Sequence, residues 1–99
     1  MHRMKDKVVV VTGAAHGIGA AIAQRFADEG AVLALLDLDE AQLAATAKRL
    51  PGAPPLTIAA DVTDEAAVDD AFTRIAATHG RIDVLVNNVG GSRNQKPWK

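Results

Sequence analysis

The 99-residue sequence predicts an α/β domain in which a parallel sheet is covered by helices on both faces. Two observations predict this fold class. Short apolar runs rich in β-branched residues alternate with longer segments that have the apolar spacing of helices. The connections between these segments are short, and no internal repeat or low-complexity tract interrupts them. The resulting order, βαβαβαβ, is typical of a parallel sheet built with helical crossovers.

The first part of the chain is expected to form a strand, a helix and a second strand. Strand one is expected over 7–11, where four consecutive valines suit a strand that is buried on both faces. The first helix is expected over 17–30, and strand two over 31–37. Helical spacing places three apolar residues on the buried face of the first helix: Ile18, Ile22 and Phe26.

The second helix is expected to begin at Asp39, a residue type favoured at the N-cap. Gln42, three positions later, would be its capping-box partner. Pro51 and Gly52 would end this helix, and strand three is expected over 56–60. The apolar residues that would line the helix are Leu43, Ala47 and Leu50.

The third helix is expected to begin after Thr63 or Asp64, either of which can cap it, and to end at Gly80. Strand four is expected over 82–86, and the residues after it are polar and show no period. The apolar stripe expected on this helix consists of Val68, Phe72, Ile75 and Ala76.

Right-handed crossovers fix the predicted topology. Strands one, two and three would step outward in one direction, and the third helix would carry the chain back to place strand four beside strand one. This gives a doubly wound but incomplete sheet with order 3-2-1-4, whose ligand site would lie beyond the carboxyl ends of strands one and four. Strand four would form an exposed edge, and the third helix alone would leave part of strands one and two bare on the second face.

Composition excludes several classes of function. The formal net charge is −1, with no basic cluster that would suit a nucleic acid or an anionic membrane. The sequence has no cysteine, which excludes disulfides and thiolate sites, and no metal site is expected because no other ligand set has suitable spacing. The longest strongly apolar run, 31–36, is too short to span a membrane. We therefore expect a soluble cytoplasmic protein with no nucleic-acid or membrane partner.

A glycine-rich turn links strand one to the first helix. Gly13, Gly17 and Gly19 have the spacing G-x-x-x-G-x-G, which is neither the G-x-G-x-x-G fingerprint nor a P-loop. The unpaired N–H groups at a helix N-terminus suit a phosphate, and glycine allows it to approach closely. From the spacing alone, a strand-to-helix turn without a ligand remains the alternative.

An aspartate ends strand two close to this turn. Asp37 follows Gly19 by 18 residues, a position from which a carboxylate can accept hydrogen bonds from adenosine ribose hydroxyls. The same charge would repel a 2′-phosphate, so Asp37 favours NAD over NADP. A solvated turn acid without a ligand is the alternative interpretation.

Four segments together resemble the N-terminal part of the short-chain dehydrogenases/reductases, a family of NAD(P)-dependent oxidoreductases with a Rossmann-type fold. The segment TGAAHGIG at 12–19 matches the family turn T-G-x-x-x-G-x-G, and Asp37 matches its acidic NAD selector. The segment DVTD at 61–64 resembles the family's adenine-contacting D-V segment. The segment NNVG at 87–90 resembles N-N-A-G, with Val89 in place of the usual alanine.

The resemblance implies a cofactor site. Asp37 would hold the ribose hydroxyls, whereas Asn87 would brace the central strands rather than touch the ligand. His16 stands where NADP-preferring members often carry a basic residue, but Asp37 outweighs it. The residues assigned to cofactor binding are Gly13, Ala15, His16, Gly17, Ile18, Gly19, Asp37, Leu38, Asp61, Val62, Asn88, Val89 and Gly90.

The resemblance also implies an activity, which is hydride transfer between a nicotinamide and a small-molecule alcohol or ketone. The catalytic serine, tyrosine and lysine of the family lie downstream of N-N-A-G, and this sequence contains no tyrosine. We therefore expect residues 1–90 to be the cofactor-binding part and 91–99 a loop or tail, in a truncated chain without catalytic residues. The parent protein would be a homo-oligomer. The alternative is a stand-alone, non-catalytic dinucleotide-binding module or an inactive fragment.

Overall fold

The structure, a computed structural model, describes residues 3–88 and confirms the predicted α/β fold. Within this range, no helix is both long enough and apolar enough to cross a membrane. The elements in chain order are β1 (Val8–Thr12), α1 (Gly17–Asp28), β2 (Val32–Asp37), α2 (Glu40–Arg49), β3 (Leu56–Ala59), α3 (Glu65–His79) and β4 (Val84–Val86).

The four strands form one sheet with the order β3-β2-β1-β4, as the sequence predicts. All three pairings are parallel, and Val9 of β1 is in register with Leu33 of β2 and with Val84 of β4. Strand order therefore reverses between β1 and β4, which places the switch point at the carboxyl end of β1. Among the described strands β4 forms an edge, where Leu85 is 37% exposed.

One face of the sheet packs against α1 and α2. Alternate residues of the central strands point to this face because successive side chains of a strand lie on opposite sides. They pack against Ala23 of α1 and Leu43 of α2, both at most 1% exposed. The buried strand residues of this cluster are Val9, Val11, Leu33 and Leu35.

The other face packs against α3, and here one expectation was wrong. We expected part of β1 and β2 to stay bare, but Val10 and Ala34 are fully buried. With 15 residues α3 is about 22 Å long, whereas three adjacent strands span only about 10 Å between their axes. This one helix is therefore long enough to cover the inner strands. The cluster on this face contains Val8, Val10, Ala34, Leu36, Ile58, Ala60, Ala71 and Ile75.

The buried stripes of the helices differ from the sequence prediction at two positions. Ile18 is 71% exposed, because it lies in the first turn of α1, whereas Ala23 further along the helix is buried. On α3, Ala76 is exposed and Ala71 is buried instead. The buried positions of α3 therefore follow an i, i+3, i+7 pattern from Val68, and Ala76 lies about 100° further round the helix.

Both predicted aspartate caps form, but the capping box of α2 forms only in part. The Asp39 carboxylate accepts a hydrogen bond from the Gln42 backbone N–H at 3.1 Å. In a complete capping box the Gln42 side-chain oxygen would accept from the backbone N–H of Asp39. That N–H instead donates to the Asp37 carboxylate at 3.0 Å. On α3 the cap is Asp64 rather than Thr63, because the Asp64 carboxylate accepts from two backbone N–H groups. Gly80 ends that helix with a φ of +81°.

Candidate functional site

The candidate site lies at the edge of the sheet where all four parallel strands end. The glycine turn at 13–19 follows β1, Asp37 ends β2, Asp61 follows β3 and Asn88 follows β4. The fold therefore brings segments that are distant in sequence to one edge, as the topology predicts. Two of the predicted site residues, at positions 89 and 90, lie outside the described residues.

The three glycines of the turn have different surroundings. A Cβ on Gly13, whose φ is +63°, would overlap the backbone carbonyl of Asn88. A Cβ on Gly19 would overlap the carbonyl of Gly13. Gly17, with a φ of +51°, has nothing within 4 Å of the place of its Cβ. Two glycines are therefore needed for packing within the protein, whereas Gly17 faces open space into which a ligand can approach.

Hydrogen bonds with two elements, β2 and α2, hold the turn. The Ala14 N–H donates to the Leu36 carbonyl at 3.2 Å, and the Ala15 N–H donates to the Asp37 carboxylate at 2.9 Å. The hydroxyl of Thr46, which is 1% exposed, donates to the Ala15 carbonyl at 3.3 Å. Sequence reasoning missed Thr46, although its position three residues after Leu43 places it on the same buried face of α2.

A second group of hydrogen bonds ties β1 to the segment after β4. The Thr12 hydroxyl accepts from the Asn88 N–H at 2.8 Å, and its oxygen lies 3.0 Å from Oδ1 of Asn87, to which it can donate. Thr12 is 3% exposed. The contact of Asn87 with the central strand agrees with the bracing role that the family resemblance implies. The bond from the Asn88 N–H to Thr12 holds Asn88 beside Gly13.

Asp37 is held in place by two backbone N–H groups. Its Oδ2 accepts from Ala15, and its Oδ1 accepts from Asp39 at 3.0 Å. An ionised carboxylate has about four acceptor positions, so two remain for further donors. The carboxylate is thus oriented by the backbone and can still accept hydrogen bonds from two hydroxyl groups.

A histidine–aspartate pair lies next to Asp37. Nε2 of His16 lies 3.1 Å from Oδ2 of Asp39, so the pair links the glycine turn to the N-cap of α2. The backbone N–H of Gln42 and, to a smaller extent, His16 hold the pKa of the Asp39 carboxyl below its usual range. Asp39 is therefore ionised at neutral pH, and two carboxylates lie at this end of β2.

The segment after β3 contributes a third acidic group. Oδ1 of Asp61 accepts from the Thr63 hydroxyl at 2.6 Å and from its N–H at 2.9 Å. These hydrogen bonds lower the pKa of the Asp61 carboxyl. Val62 is half-buried against the α3 face of the core. Leu38, which follows Asp37, is 70% exposed and leaves an apolar side chain at the same edge.

The N-terminus of α1 differs from those of the other two described helices. Both α2 and α3 begin with a capping aspartate and a glutamate in the first turn. On α1, the N-cap residue His16 makes no capping side-chain hydrogen bond, and the first turn contains no acidic residue. Since a helix N-terminus carries a partial positive charge, α1 keeps a positive end that no side chain of its own first turn neutralises.

A parallel sheet with a glycine-rich turn at its switch point is typical of Rossmann-type α/β domains. The chain belongs to the short-chain dehydrogenase family, because the family model described as short chain dehydrogenase matches residues 7–98. The sequence resemblance is thereby confirmed.

Known dehydrogenases and reductases are similar to this chain in sequence and in structure. The chain is 45% identical to a CLA biosynthesis dehydrogenase/reductase of Lactiplantibacillus plantarum, over 100% of this chain and 35% of the relative. It is 42% identical to a meso-2,3-butanediol dehydrogenase of Serratia marcescens, over 89% of this chain and 35% of the relative. A 3-ketoacyl-(acyl-carrier-protein) reductase of Brucella melitensis, solved in complex with NADH, superposes with a TM-score of 0.77 at 36% identity, covering 83% of this chain and 33% of that one. The chain thus spans about a third of the length of these proteins.

Proposed function

We propose that this chain is the NAD-binding part of an oxidoreductase that transfers hydride between a nicotinamide and a small alcohol or ketone. The observation that carries the proposal is the N-terminus of α1, which lacks a capping side chain and an acidic residue and opens through Gly17. The Asp37 carboxylate is held beside it by the Ala15 N–H. A positive helix end next to an oriented carboxylate suits the pyrophosphate and the ribose of a dinucleotide.

The pyrophosphate would bind at the turn over Gly17. The first-turn N–H groups of α1 would supply donors, and the open space at Gly17 would allow the phosphate oxygens to reach them. Gly13 and Gly19 would act indirectly, because both are packed within the protein and set the path of the turn. Ala15 would have two roles, since its N–H orients Asp37 and its carbonyl is fixed by Thr46.

The adenosine would bind at the ends of β2 and β3. The free acceptor positions of Asp37 would take the ribose hydroxyls, which favours NAD because a 2′-phosphate would meet this negative charge. Leu38 and Ile18, whose exposed side chains cost free energy in water, would gain apolar contacts from the adenosine half. Asp61 and Val62 would meet the adenine.

The segment after β4 would complete the site. Asn88, whose N–H is fixed by Thr12, would approach the nicotinamide half together with Val89 and Gly90. When bound, the nicotinamide accepts or supplies the hydride. Residues 1–90 would then be the binding unit, and the sequence contains no tyrosine to act as the family's acid/base group. We therefore expect the 99-residue chain to bind NAD without turning over an alcohol.

Calorimetric titration of the 99-residue chain with NAD and with NADP tests this proposal. We expect NAD to bind more tightly than NADP, and Asp37→Asn to weaken NAD binding about 10-fold, since an uncharged amide accepts hydroxyl hydrogen bonds less well. Asp70→Asn, an exposed position on α3, is the matched control and should leave both affinities unchanged.

Three outcomes would contradict the proposal. The first is the absence of NAD binding at millimolar concentration, and the second is tighter binding of NADP than of NAD. The third is NADH formation by the purified chain in the presence of a simple alcohol, because no tyrosine is present to take the hydroxyl proton.

A further inference from the structure

His16 and Asp39 belong to the two backbone segments that hold the Asp37 carboxylate. Asp37 accepts one hydrogen bond from the N–H of Ala15, the neighbour of His16, and another from the N–H of Asp39 itself. The side chains of His16 and Asp39 then meet each other at 3.1 Å, from Nε2 to Oδ2. The His16–Asp39 side-chain pair and the Asp37 carboxylate are therefore linked through the backbone at the end of β2.

We propose that Asp39 is a second specificity-determining residue, which disfavours a 2′-phosphorylated dinucleotide by engaging the His16 imidazole. This inference rests on the proposed function, in which Asp37 receives the adenosine ribose. An imidazole N–H beside that ribose would be a natural donor to a 2′-phosphate. In this chain that donor is directed to the Asp39 carboxylate instead.

The exposure of the His16–Asp39 pair and the charge of Asp39 both bear on the binding of a 2′-phosphate. The His16 and Asp39 side chains are 58% and 45% exposed, so a bound phosphate could compete for the imidazole in solution. Asp39 is ionised, because the Gln42 N–H and His16 hold the pKa of its carboxyl below its usual range. A 2′-phosphate would thus have to displace one carboxylate while it meets a second one on Asp37.

The competing interpretation is that the pair is only an exposed ion pair. Such pairs contribute little to stability, and their removal changes little else. The two interpretations differ in the nucleotide preference, because an ion pair without a role in selection would leave the relative affinity for NADP and NAD unchanged. They also differ in whether any change depends on His16.

The substitution Asp39→Asn separates the charge from the capping role. Asparagine caps helices as well as aspartate does, and its side-chain oxygen can still accept from Gln42. Asp39→Ser, a second residue type favoured at the N-cap, guards against an effect peculiar to asparagine. Glu29→Gln is the matched control, because it removes the acid of an exposed ion pair, Arg25–Glu29, at the opposite end of α1.

Calorimetry on the 99-residue chain would give the ratio of the NADP and NAD dissociation constants for each variant. We expect Asp39→Asn and Asp39→Ser to lower this ratio about five-fold by freeing the imidazole and removing one repulsive charge. Glu29→Gln should leave it unchanged. In a His16→Ala background, Asp39→Asn should lower the ratio by less than about two-fold, because this background lacks the imidazole that the substitution would otherwise free.

The possible failures are distinguishable. If the unmodified chain binds neither nucleotide, the proposed function fails and this inference fails with it. If NAD binds but both Asp39 variants leave the ratio unchanged, only this inference is overturned. A ratio that falls equally with and without His16 also overturns it, because Asp39 would then act by its charge alone.

Discussion

Gly17 and Gly19 are two residues apart in the same turn, yet an added methyl group would meet opposite surroundings at these positions. At Gly19 it would overlap the Gly13 carbonyl, whereas at Gly17 it would enter open space at a φ of +51°. We expect Gly19→Ala to reduce the free energy of unfolding by about 3 kcal/mol, because the backbone of the turn must move. We expect Gly17→Ala to cost about 1 kcal/mol, from the left-handed backbone alone.

The two variants should also separate stability from binding. Gly17→Ala should remain folded at 25 °C yet bind NAD at least about 10-fold more weakly, because its methyl group occupies the space into which a phosphate would approach. Urea unfolding gives the stabilities, and calorimetry gives the affinities. Equal NAD affinity in Gly17→Ala and the unmodified chain would contradict the assignment of this position to the pyrophosphate.

A single buried hydroxyl connects the second helix to the turn. Thr46 of α2 donates to the carbonyl of Ala15 and is 1% exposed, so Thr46→Val leaves a buried carbonyl without this donor. We expect a loss of about 1–2 kcal/mol in the free energy of unfolding, measured in urea. Thr78→Val is the control, because the Thr78 hydroxyl donates to the Arg74 carbonyl on an exposed part of α3.

The control should change stability by less than about 0.5 kcal/mol, since water can replace the lost donor. Thr46→Val should in addition weaken NAD binding, because Ala15 carries the N–H that orients Asp37. Equal effects of the two threonine substitutions on the free energy of unfolding would show that the hydrogen bond from Thr46 to the turn stabilises the fold no more than an exposed one.

The start of β1 is linked to the segment before β4 by a carboxylate whose pKa is lowered. Asp83 accepts from the Val8 N–H and from Nε of Arg81, both at 2.8 Å, and the Val8 bond lowers the pKa of Asp83 most. A pKa that is lower in the folded state stabilises the fold above the unfolded value, near pH 4, and this stabilisation is lost as the pH falls through the folded value. We therefore expect Asp83→Asn to be destabilising at pH 6 and to differ less from the unmodified chain at pH 2.5.

Urea midpoints measured between pH 2.5 and pH 6 would check this expectation. Asp39 and Asp61 also have lowered pKa values, so the variant should retain part of the acid dependence. Asp70→Asn, on the exposed face of α3, serves as the control. A difference between Asp83→Asn and the unmodified chain that stays constant over the whole range would contradict the role of this carboxylate.

The elements themselves could be predicted from the sequence because local signals specify them. The valine run, the capping aspartates and Gly80 each act within a few residues, and the observed bounds agree with the predicted ones to within two residues at most ends. The spacing of Thr46 from Leu43 places it on the buried face of α2, but its hydrogen bond to Ala15 could not be assigned in this way, because the turn at 13–16 is distant in sequence. Ile18 fits the helical period but lies in the first turn, where the periodic pattern no longer indicates what covers the side chain.

The meeting of the candidate site's segments at one edge of the sheet was predictable, but the contacts between them were not. The glycines, Asp37 and Asn88 were all placed at one edge by strand order alone. The contact between His16 and Asp39 was not, because it joins two loops whose separation no local pattern specifies. Sequence reasoning also underestimated how far α3 covers the sheet, since burial of the second face depends on how a long helix packs across several strands.

At the scale of the whole molecule, coverage of both faces of the sheet predicts cooperative unfolding. Residues 3–88 form one cluster between the sheet and α1–α2 and another between the sheet and α3, and the same central strands belong to both. Loss of either layer exposes those strands, so we expect a single transition in urea with a slope of about 1 kcal/mol per molar. Circular dichroism at 222 nm and methyl NMR signals should follow the same curve.

Two substitutions on opposite faces test this coupling. Ile75→Ala removes a fully buried side chain of α3, and Leu43→Ala removes one of α2 that is 1% exposed. Each should lower the free energy of unfolding by about 2–5 kcal/mol, and each should shift both probes by the same amount. If methyl signals of one face disappear at lower urea than those of the other in either variant, or if a hydrophobic dye binds before the main transition, the two layers unfold separately. That result would mean that the glycine turn, whose Ala14 and Ala15 belong to the α1–α2 cluster, does not depend on α3 for its stability.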